Sequence, residues 1–300
     1  MESRTDPRVI AVVVTFNRRE LVLRCLDALL GATVCPDHVI VVDNASADGT
    51  VTAIRSAHPS TKVTVIQAED NLGPAEGFER GMVTAAQQAS DWIMVLNDDC
   101  FVKRDTLQRL LAVAAHAQGR VAIISPVGHG GVVGNLWRHR TVPVRLSHLA
   151  GGNTPVDVDL VAFSSVIVRA DVVRRFGGPR ADYFIMWWEW EYCIRLRRQS
   201  YRIVVVPDVE VEHLTLGSSR GVSAWREYYQ TRNHLRFVLD RRSVLDGVFW
   251  FVRQVKFVTA TLLFMDQKAT RIRFRILGTA DALRGRMGRT VTPRTGVARN

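Results

Sequence analysis

Residues 92–99 read WIMVLNDD, an apolar run that ends in Asn97, Asp98 and Asp99. Short runs of continuous rather than alternating hydrophobicity are typical of strands that are covered on both faces, as in a mostly parallel sheet. Polar residues directly after such a strand lie at its carboxyl end, where open α/β sheets bind their ligands. This stretch therefore predicts an α/β fold with a site at residues 97–99.

Three similar apolar runs precede this one. A helical pattern lies between the first and second runs, and another lies between the third and fourth. Leucines and valines at helical spacing fill residues 21–30, and a second helical pattern covers about 75–89. We expect Asn17 to cap the first of these helices. The order predicts a doubly wound half whose strand ends converge on one crevice. The three earlier runs are VIAVVV at 9–14, HVIVV at 38–42 and KVTVI at 62–66.

Composition and charge divide the chain in two. The net charge is +11, but residues 241–300 hold 13 Lys and Arg against 3 Asp and Glu, so the first 240 residues are nearly neutral. This split predicts a catalytic domain over 1–240 and a basic C-terminal region over 241–300. The four cysteines form no CxxC pair, which argues against a disulfide framework or structural zinc and favours the cytoplasm.

The adjacent carboxylates of Asp98 and Asp99 repel each other unless a cation lies between them. Mg²⁺ and Mn²⁺ take one or two protein carboxylates and complete their coordination with substrate phosphates and water. The alternative is a polar turn that caps the next helix. The glycines at 73, 77 and 81 either let the backbone approach a nucleotide or pack closely on the sheet. Neither GxGxxG nor GxxxxGK[ST] is present, so redox and P-loop chemistry lose support.

Residues 187–192 read WWEWEY, which places Glu189 and Glu191 among three tryptophans. Aromatic faces beside acids commonly hold a sugar, and apolar surroundings raise the pKa of a carboxyl group towards that of a general base. The alternative is the start of an amphipathic helix, whose dipole favours acids. His213 closes a later apolar strand and is either a metal or pyrophosphate contact or a structural histidine.

Taken in order, these motifs resemble glycosyltransferase family 2, the inverting enzymes of the GT-A fold. The resemblance covers about residues 8–240 and is greatest to bacterial galactofuranosyl- and rhamnosyltransferases of the cell envelope. It implies a Rossmann-like nucleotide-binding half and an acceptor half around one mixed sheet, followed by a helical basic appendage. The motifs are VVVTFNR at 12–18, VVDNASADGT at 41–50, NLGPAEGFERG at 71–81, LNDDC at 96–100, FIMWWEWEYCIR at 184–195 and YYQTRN at 228–233.

The resemblance also implies roles for individual residues. Asp99 and His213 would hold Mg²⁺ or Mn²⁺, and Glu189 would be the catalytic base at a position where the family usually has Asp. The expected donor-binding residues are Thr15, Phe16, Asn17, Asp43, Asn71, Gly73, Asn97 and Asp98. The expected acceptor-binding residues are Trp187, Trp188, Glu191, Tyr229, Arg232 and Asn233. The donor would be a UDP- or dTDP-sugar, and the acceptor a glycan or a polyprenyl-linked sugar.

The apolar residues of 244–265 share a helical face, although their longest uncharged stretch, 257–265, is too short to span a bilayer. With Arg271, Arg273 and Arg275 following, the segment predicts association with an anionic membrane on its cytoplasmic face. The alternative is packing on the catalytic domain or in a homo-oligomer. Two other functions compete: a nucleotidyltransferase, and a nucleic-acid-binding protein. The charge map argues against the latter, because no basic stripe lies on the first 240 residues.

Overall fold

The computed structural model describes residues 6–59, 61–117, 120–128, 133–137, 140–143, 154–214 and 223–292. Its main feature is a mixed sheet of nine strands, in the order β3-β2-β1-β4-β11-β6-β12-β5, with β9 also paired to β12. A second sheet contains β10, β7 and β8. The strands are β1 Val9–Thr15, β2 His38–Asp43, β3 Val63–Gln67, β4 Trp92–Asn97, β5 Cys100–Val102, β6 Val121–Gly128, β7 Val133–Trp137, β8 Arg140–Pro143, β9 Val156–Val158, β10 Leu160–Val161, β11 Val166–Arg169 and β12 Arg202–His213.

The helices cover both faces of the sheet and extend the chain beyond it. They are α1 Arg19–Leu30, α2 Thr50–Ala57, α3 Gly73–Gln87, α4 Thr106–His116, α5 Ala170–Phe176, α6 Trp188–Arg198, α7 Trp225–Arg241, α8 Val244–Phe264 and α9 Lys268–Arg284, with a short 3-10 helix over Ala181–Tyr183. The predicted α/β class and mixed sheet are confirmed.

Strands β3, β2, β1 and β4 are parallel, and they form the predicted nucleotide-binding half. Every residue of β1 is buried, and alternate residues enter two separate cores. Val12 packs with Phe78 of α3, whereas Val13 packs in the core that contains Leu26 of α1. This two-sided burial explains the continuous hydrophobicity of the run.

The glycines of α3 allow this helix to lie directly on β1. A Cβ at Gly77 would lie 2.9 Å from Cγ1 of Val14, and one at Gly81 would overlap Val12. Of the two alternatives for these positions, close packing on the sheet applies to Gly77 and Gly81. Gly73, by contrast, faces the cleft described below.

The expected cap at Asn17 is wrong. Helix α1 begins at Arg19, its N-cap residue Arg18 makes no side-chain cap, and the backbone N–H of Arg19 donates to Oδ2 of Asp48 at 3.1 Å. Asn17 instead adopts a positive φ of 52°, and its Oδ1 accepts a hydrogen bond from the backbone N–H of Ala47 at 2.7 Å. Its side chain therefore holds the loop after β2 against the loop after β1.

The second half of the sheet begins where β11 pairs antiparallel with β4. Strand β12 then runs parallel to β6 and antiparallel to β5, and its last residue, His213, lies opposite Cys100. This pairing brings the end of β12 beside Asp99. The reversal at β4 thus joins the nucleotide-binding half to a second wall built from later residues.

The C-terminal helices pack on one another through buried ions. Glu227 of α7 pairs with Arg271 and Arg275 of α9, and all three side chains are less than a tenth exposed. These two arginines therefore do not face a membrane, contrary to the expectation for the basic segment, whereas Arg273 is exposed. The division at residue 240 remains a prediction, and it falls one residue before α7 ends.

Candidate active site

The carboxyl ends of β1 and β4 meet through a buried hydrogen bond. The Thr15 hydroxyl donates to Oδ2 of Asp98 at 2.8 Å. Arg18, in the turn after β1, donates from Nη1 to Oδ1 of Asp98 at 2.9 Å and to Oδ2 of Asp99 at 3.0 Å. The guanidinium group of Arg18 therefore bridges the two carboxylates, and its positive charge offsets their mutual repulsion.

Asp99 also faces the end of β12. Its Oδ1 lies 3.2 Å from Nε2 of His213, and Nδ1 of the same ring lies 3.4 Å from the Ser164 hydroxyl. The hydrogen bond to Asp99, helped by Cys100, raises the pKa of His213 to about 10. His213 is therefore an imidazolium near neutral pH when it faces the acid alone.

The two neighbouring acids have different proton affinities. Burial raises the pKa of Asp98 above its ordinary value, although Arg18 and Thr15 oppose this shift. Burial also acts on Asp99, but the hydrogen bonds and charges of His213 and Arg18 outweigh it and lower the pKa of Asp99. Asp99 is thus the better candidate for a permanently ionised ligand.

Asp99, Cys100 and His213 offer ligand atoms that all lie within 4.8 Å of one another. A carboxylate oxygen and an imidazole nitrogen suit Mn²⁺, and a carboxylate with phosphate oxygens and water suits Mg²⁺. The Cys100 thiol is a soft ligand that neither ion prefers. The donor set of Asp99 and His213 therefore fits the expected divalent cation.

These side chains line an open cavity of about 460 Å³, which we call the donor cavity. Its size is in the range of ordinary small-molecule sites. The structure brings together eight of the predicted site residues in its wall. They are Thr15, Phe16, Asn71, Gly73, Asn97, Asp98, Asp99 and His213.

Two predicted donor residues do not line this cavity. Asn17 holds the neighbouring loop, as described above. Asp43 is completely buried, and its Oδ2 accepts a hydrogen bond from the backbone N–H of Ser46 at 3.0 Å. Its Oδ1 has no partner among the described residues. Neither Asn17 nor Asp43 forms part of the cavity wall, and a direct role of either residue in binding the nucleotide-sugar donor remains a prediction.

A second cavity of about 340 Å³, the acceptor cavity, adjoins the first. It is lined by Trp187, Trp188, Glu189 and Trp190, so the predicted acid lies in a largely aromatic wall. Burial raises the pKa of Glu189 to about 7. The carboxyl group is therefore suited to accept a proton near neutral pH. The two cavities share Pro74, Asn97, Ile185 and Arg226.

Glu191, the second acid of this motif, has a different environment. Its Oε1 accepts a hydrogen bond from Nε of Arg195 at 2.9 Å, and that arginine also donates to the backbone oxygens of Phe176 and Gly178. Glu191 is thus committed to holding α6 on the preceding turn. The expectation that it contacts the acceptor does not fit these contacts.

Tyr229, Arg232 and Asn233 are also buried rather than placed in either cavity wall. The Asn233 amide donates to the backbone oxygens of Tyr183, Ile185 and Met186 at 2.7–3.1 Å. Nη2 of Arg232 also donates to the Tyr183 oxygen, at 3.2 Å. Among the described residues, the hydrogen bonds of Arg232 and Asn233 go to neighbouring parts of the protein, and their predicted acceptor contacts remain a prediction. The hydroxyl of Tyr229 likewise donates to the Val291 oxygen.

Arg232 and Asn233 hold a backbone segment of unusual conformation. Phe184, Met186 and Trp187 all have φ between 62° and 66°, a conformation that is costly for side chains of this size. The segment turns Trp187 onto His234, with ring centroids 4.0 Å apart, and places Glu189 in the first turn of α6. The strained segment thus positions Trp187 and Glu189 in the wall of the acceptor cavity. Hydrogen bonds from α7 maintain its conformation.

Arg18, Ile185 and Arg226 line the cavities but are not among the predicted site residues, and Asn44 is predicted only as a polar residue at the end of β2. Arg18, Asn44 and Ile185 lie within the quoted motifs, so adjacency to a predicted site residue was an available signal. Arg226 lies two residues before the YYQTRN motif and carried no such signal.

A parallel nucleotide-binding half, acids at the carboxyl end of β4 and an aromatic second cavity together define a GT-A glycosyltransferase as the class of protein. The particular family follows from comparison. The chain belongs to glycosyl transferase family 2, whose family model matches residues 10–177, more than half of the chain. This confirms the resemblance of the motifs, and it favours a glycosyltransferase over a nucleotidyltransferase or a nucleic-acid-binding protein.

Two similar proteins are named as transferases of galactofuranose and of rhamnose. Galactofuranosyltransferase GlfT1 of Mycolicibacterium smegmatis is 32% identical over 207 residues, which is 64% of this chain and 66% of that protein. The match therefore spans slightly less than two thirds of that relative. The dTDP-rhamnosyl transferase RfbF of Shigella flexneri is 24% identical over 94% of this chain and 98% of its own length.

Solved structures confirm the fold. The mannosyltransferase PcManGT of Pyrobaculum calidifontis, in complex with GDP-Man and Mn²⁺, has a TM-score of 0.60 at 18% identity and covers 92% of this chain and 87% of its own. GalNAc-T7 with UDP, GalNAc and Mn²⁺ has a TM-score of 0.66 at 15% identity, over 94% of this chain and 57% of its own. At these identities, the likeness concerns the fold alone.

Proposed function

We propose that this glycosyltransferase is a metal-dependent inverting enzyme that moves a sugar from a nucleoside-diphosphate donor to a hydroxyl of a glycan or polyprenyl-linked acceptor. The observation that carries the proposal is the adjacency of the two cavities, one bounded by Asp98 and Asp99 and the other by Glu189. A diphosphate and an attacking hydroxyl can thus meet at their shared boundary.

The bond-forming step is a single displacement. The acceptor hydroxyl oxygen attacks the anomeric carbon, and the bond from that carbon to the diphosphate breaks. Glu189 accepts the hydroxyl proton, and the nucleoside diphosphate leaves with the bonding electrons. A base with a pKa of about 7 is half ionised at neutral pH and is therefore well matched to this role.

Asp99 and His213 would hold Mg²⁺ or Mn²⁺, which supplies charge stabilisation for the diphosphate leaving group. Thr15 and Arg18 keep the acids oriented, and Asn71 fixes the backbone of Gly73 through a 2.8 Å hydrogen bond. The Mn²⁺ complexes of PcManGT and GalNAc-T7 support a divalent cation.

The identity of the sugar rests on the relatives. GlfT1 is a galactofuranosyltransferase and RfbF a dTDP-rhamnosyl transferase, so we favour galactofuranose or rhamnose carried on UDP or dTDP. A third relative, N-acetylglucosaminyl-diphospho-decaprenol L-rhamnosyltransferase of Mycobacterium tuberculosis, is 25% identical over 77% of this chain. The decaprenol diphosphate acceptor in the name of this relative supports a polyprenyl-linked acceptor.

The test is Glu189→Gln, with Glu191→Gln as a matched control. The first variant should lose about 10²–10⁴-fold of transfer while it still binds the donor, because only proton acceptance is removed. The control should keep its transfer rate apart from any loss of folded protein. Near wild-type transfer by Glu189→Gln, with bound donor, would exclude Glu189 as the base.

We further propose that α8 binds an anionic membrane from the cytoplasmic side. Among the described helices, α8 alone is long and apolar enough to cross a membrane by length and composition, and only 6% of its apolar window is buried. It carries large exposed apolar side chains, for example Phe251 at 63% and Leu263 at 63%. Exposed Lys256 and Arg273 nearby suit anionic headgroups.

Point variants test this better than truncation, because removal of α9 would expose its buried ion pairs with α7. The double variant Phe251→Glu and Leu263→Glu should lose flotation with phosphatidylglycerol vesicles, with phosphatidylcholine vesicles as the reference. Arg55→Glu, on the exposed face of α2, is the control. Equal flotation of both variants would refute membrane binding through α8, and a dimer that the double variant dissociates would instead support a homo-oligomer.

A further inference from the structure

Arg226 is a charged side chain whose surroundings offer it no counter-ion. It is the second residue of α7, is only partly exposed, and forms part of the wall of both cavities. Among the described residues, its guanidinium makes no ion pair, and its Cζ lies 5.8 Å from the centroid of the Trp225 ring. Of the residues outside the described ranges, only Glu2 has an acidic side chain.

The other cations near the cleft are paired. Arg18 contacts both Asp98 and Asp99, and His213 contacts Asp99. Glu227, the residue next to Arg226, is paired with Arg271 and Arg275 of α9. Arg226 therefore bears a desolvation cost that no protein carboxylate offsets, and its pKa is lowered accordingly.

A desolvated cation in a cavity wall is stabilised when an anion binds there. The guanidinium group offers paired N–H donors that match the oxygens of a phosphate, and such charge-assisted hydrogen bonds are stronger than neutral ones.

We propose that Arg226 binds a phosphate group of a substrate at the boundary between the donor and acceptor cavities. This inference rests on the proposed function and extends it. Two sources share this chemistry. One is the diphosphate of the nucleotide, which gains negative charge on the oxygen that was bonded to the sugar as that bond breaks. The other is the diphosphate that links a sugar acceptor to a polyprenyl chain.

The experiment compares wild type with Arg226→Met, Arg226→Lys and the control Arg55→Met by calorimetry. In the first arm, UDP and dTDP are titrated with Mn²⁺ present, and uridine and thymidine serve as phosphate-free probes. In the second arm, farnesyl diphosphate is compared with farnesol. Loss of a charge-assisted phosphate contact should weaken the affected diphosphate roughly 10- to 100-fold and leave its phosphate-free counterpart unchanged.

Each outcome has a distinct meaning. Weaker nucleotide binding assigns the site to the donor, and weaker farnesyl diphosphate binding assigns it to the acceptor. Arg226→Lys should lose less than Arg226→Met, because it keeps the charge but not the paired donors. Unchanged affinity for all diphosphates in a folded Arg226→Met protein would overturn the proposal.

A melting temperature separates a binding role from a structural one. Because Arg226 has no ion pair to lose, Arg226→Met should unfold at the wild-type temperature or above it. A clear decrease relative to Arg55→Met would show that Arg226 supports the fold, and would overturn the proposal. Failure of the proposed function has another signature: wild type itself would bind diphosphates no better than the phosphate-free probes.

Discussion

The substitution Glu227→Gln tests how firmly α9 is fastened to the catalytic half. Glu227 is 6% exposed and lies between Arg271 and Arg275, which are 4% and 6% exposed. Removal of one partner from a buried ion pair costs about 3–5 kcal/mol, because the remaining charge stays desolvated. Arg271 keeps Asp266 at 2.8 Å and Arg275 keeps Gln254 at 3.1 Å, so we expect the lower end, about 3 kcal/mol.

The assay is equilibrium unfolding in urea, followed by tryptophan fluorescence. The control is Glu76→Gln, which removes a more exposed i,i+4 pair with Arg80 and should cost about 0.3–0.5 kcal/mol. Replacing the whole group with Glu227→Leu, Arg271→Met and Arg275→Met should recover much of the lost stability, since no charge is left buried. A loss for Glu227→Gln within about 1 kcal/mol of the control would refute the reasoning.

Four further predictions concern the cleft. Gly73→Ala should destabilise the protein by about 1–3 kcal/mol and weaken nucleotide binding, because φ is 72° and a Cβ would overlap the Phe184 carbonyl. The control is Gly247→Ala, which has open space around it inside α8. In thermal melts this control should raise the melting temperature, whereas Gly73→Ala should lower it. The rate of sugar transfer should rise about tenfold per pH unit below pH 7 and level off above it, since Glu189 acts when deprotonated. The residual transfer rate of Glu189→Gln should not depend on pH in this range. A wild-type rate that does not rise with pH below pH 7 would contradict the assignment. The raised pKa also means that ionised Glu189 lowers stability progressively from about pH 4.5 to 7, so Glu189→Gln should melt above wild type at pH 8. Arg18→Met should tighten Mn²⁺ binding about tenfold without nucleotide, measured by calorimetry, because the competing guanidinium is gone; unchanged affinity would show that Arg18 and the cation do not share the acids.

Sequence patterns predicted the donor side of the molecule well, for a physical reason. The four parallel strands are buried on both faces, so their runs are continuously apolar, and the residues after them must lie at one edge of the sheet. Thr15, Asn97, Asp98 and Asp99 follow from this rule alone. Asp43 obeys it too, but its side chain turns into the protein to accept the N–H of Ser46, and no pattern of hydrophobicity reports such a turn.

The acceptor side was less predictable because long-range contacts decide it. The positive φ values of Phe184, Met186 and Trp187 are unfavourable locally, and they persist because Arg232 and Asn233 hold the backbone from about 50 residues away in the chain. A conspicuous Arg-Asn pair in a family motif suggested substrate contact. In the folded protein its hydrogen bonds are used internally, and the less conspicuous Arg226 faces the cavities.

The residues that hold this strained segment have a consequence for the order in which the protein is made. The carbonyl of Gly288 accepts a hydrogen bond from Arg232, and its N–H donates to Asp182 at 2.6 Å, while Arg289 pairs with Asp70. Chains emerge from the ribosome from the N-terminus, and segments fold as they appear. The parallel half can therefore form while more than 150 residues are still to be translated, whereas the wall around Glu189 is complete only after residue 289 has emerged. His213 and Arg226 of the donor cavity are also not yet translated at that stage, so a nascent chain would form its parallel sheet long before either cavity was complete.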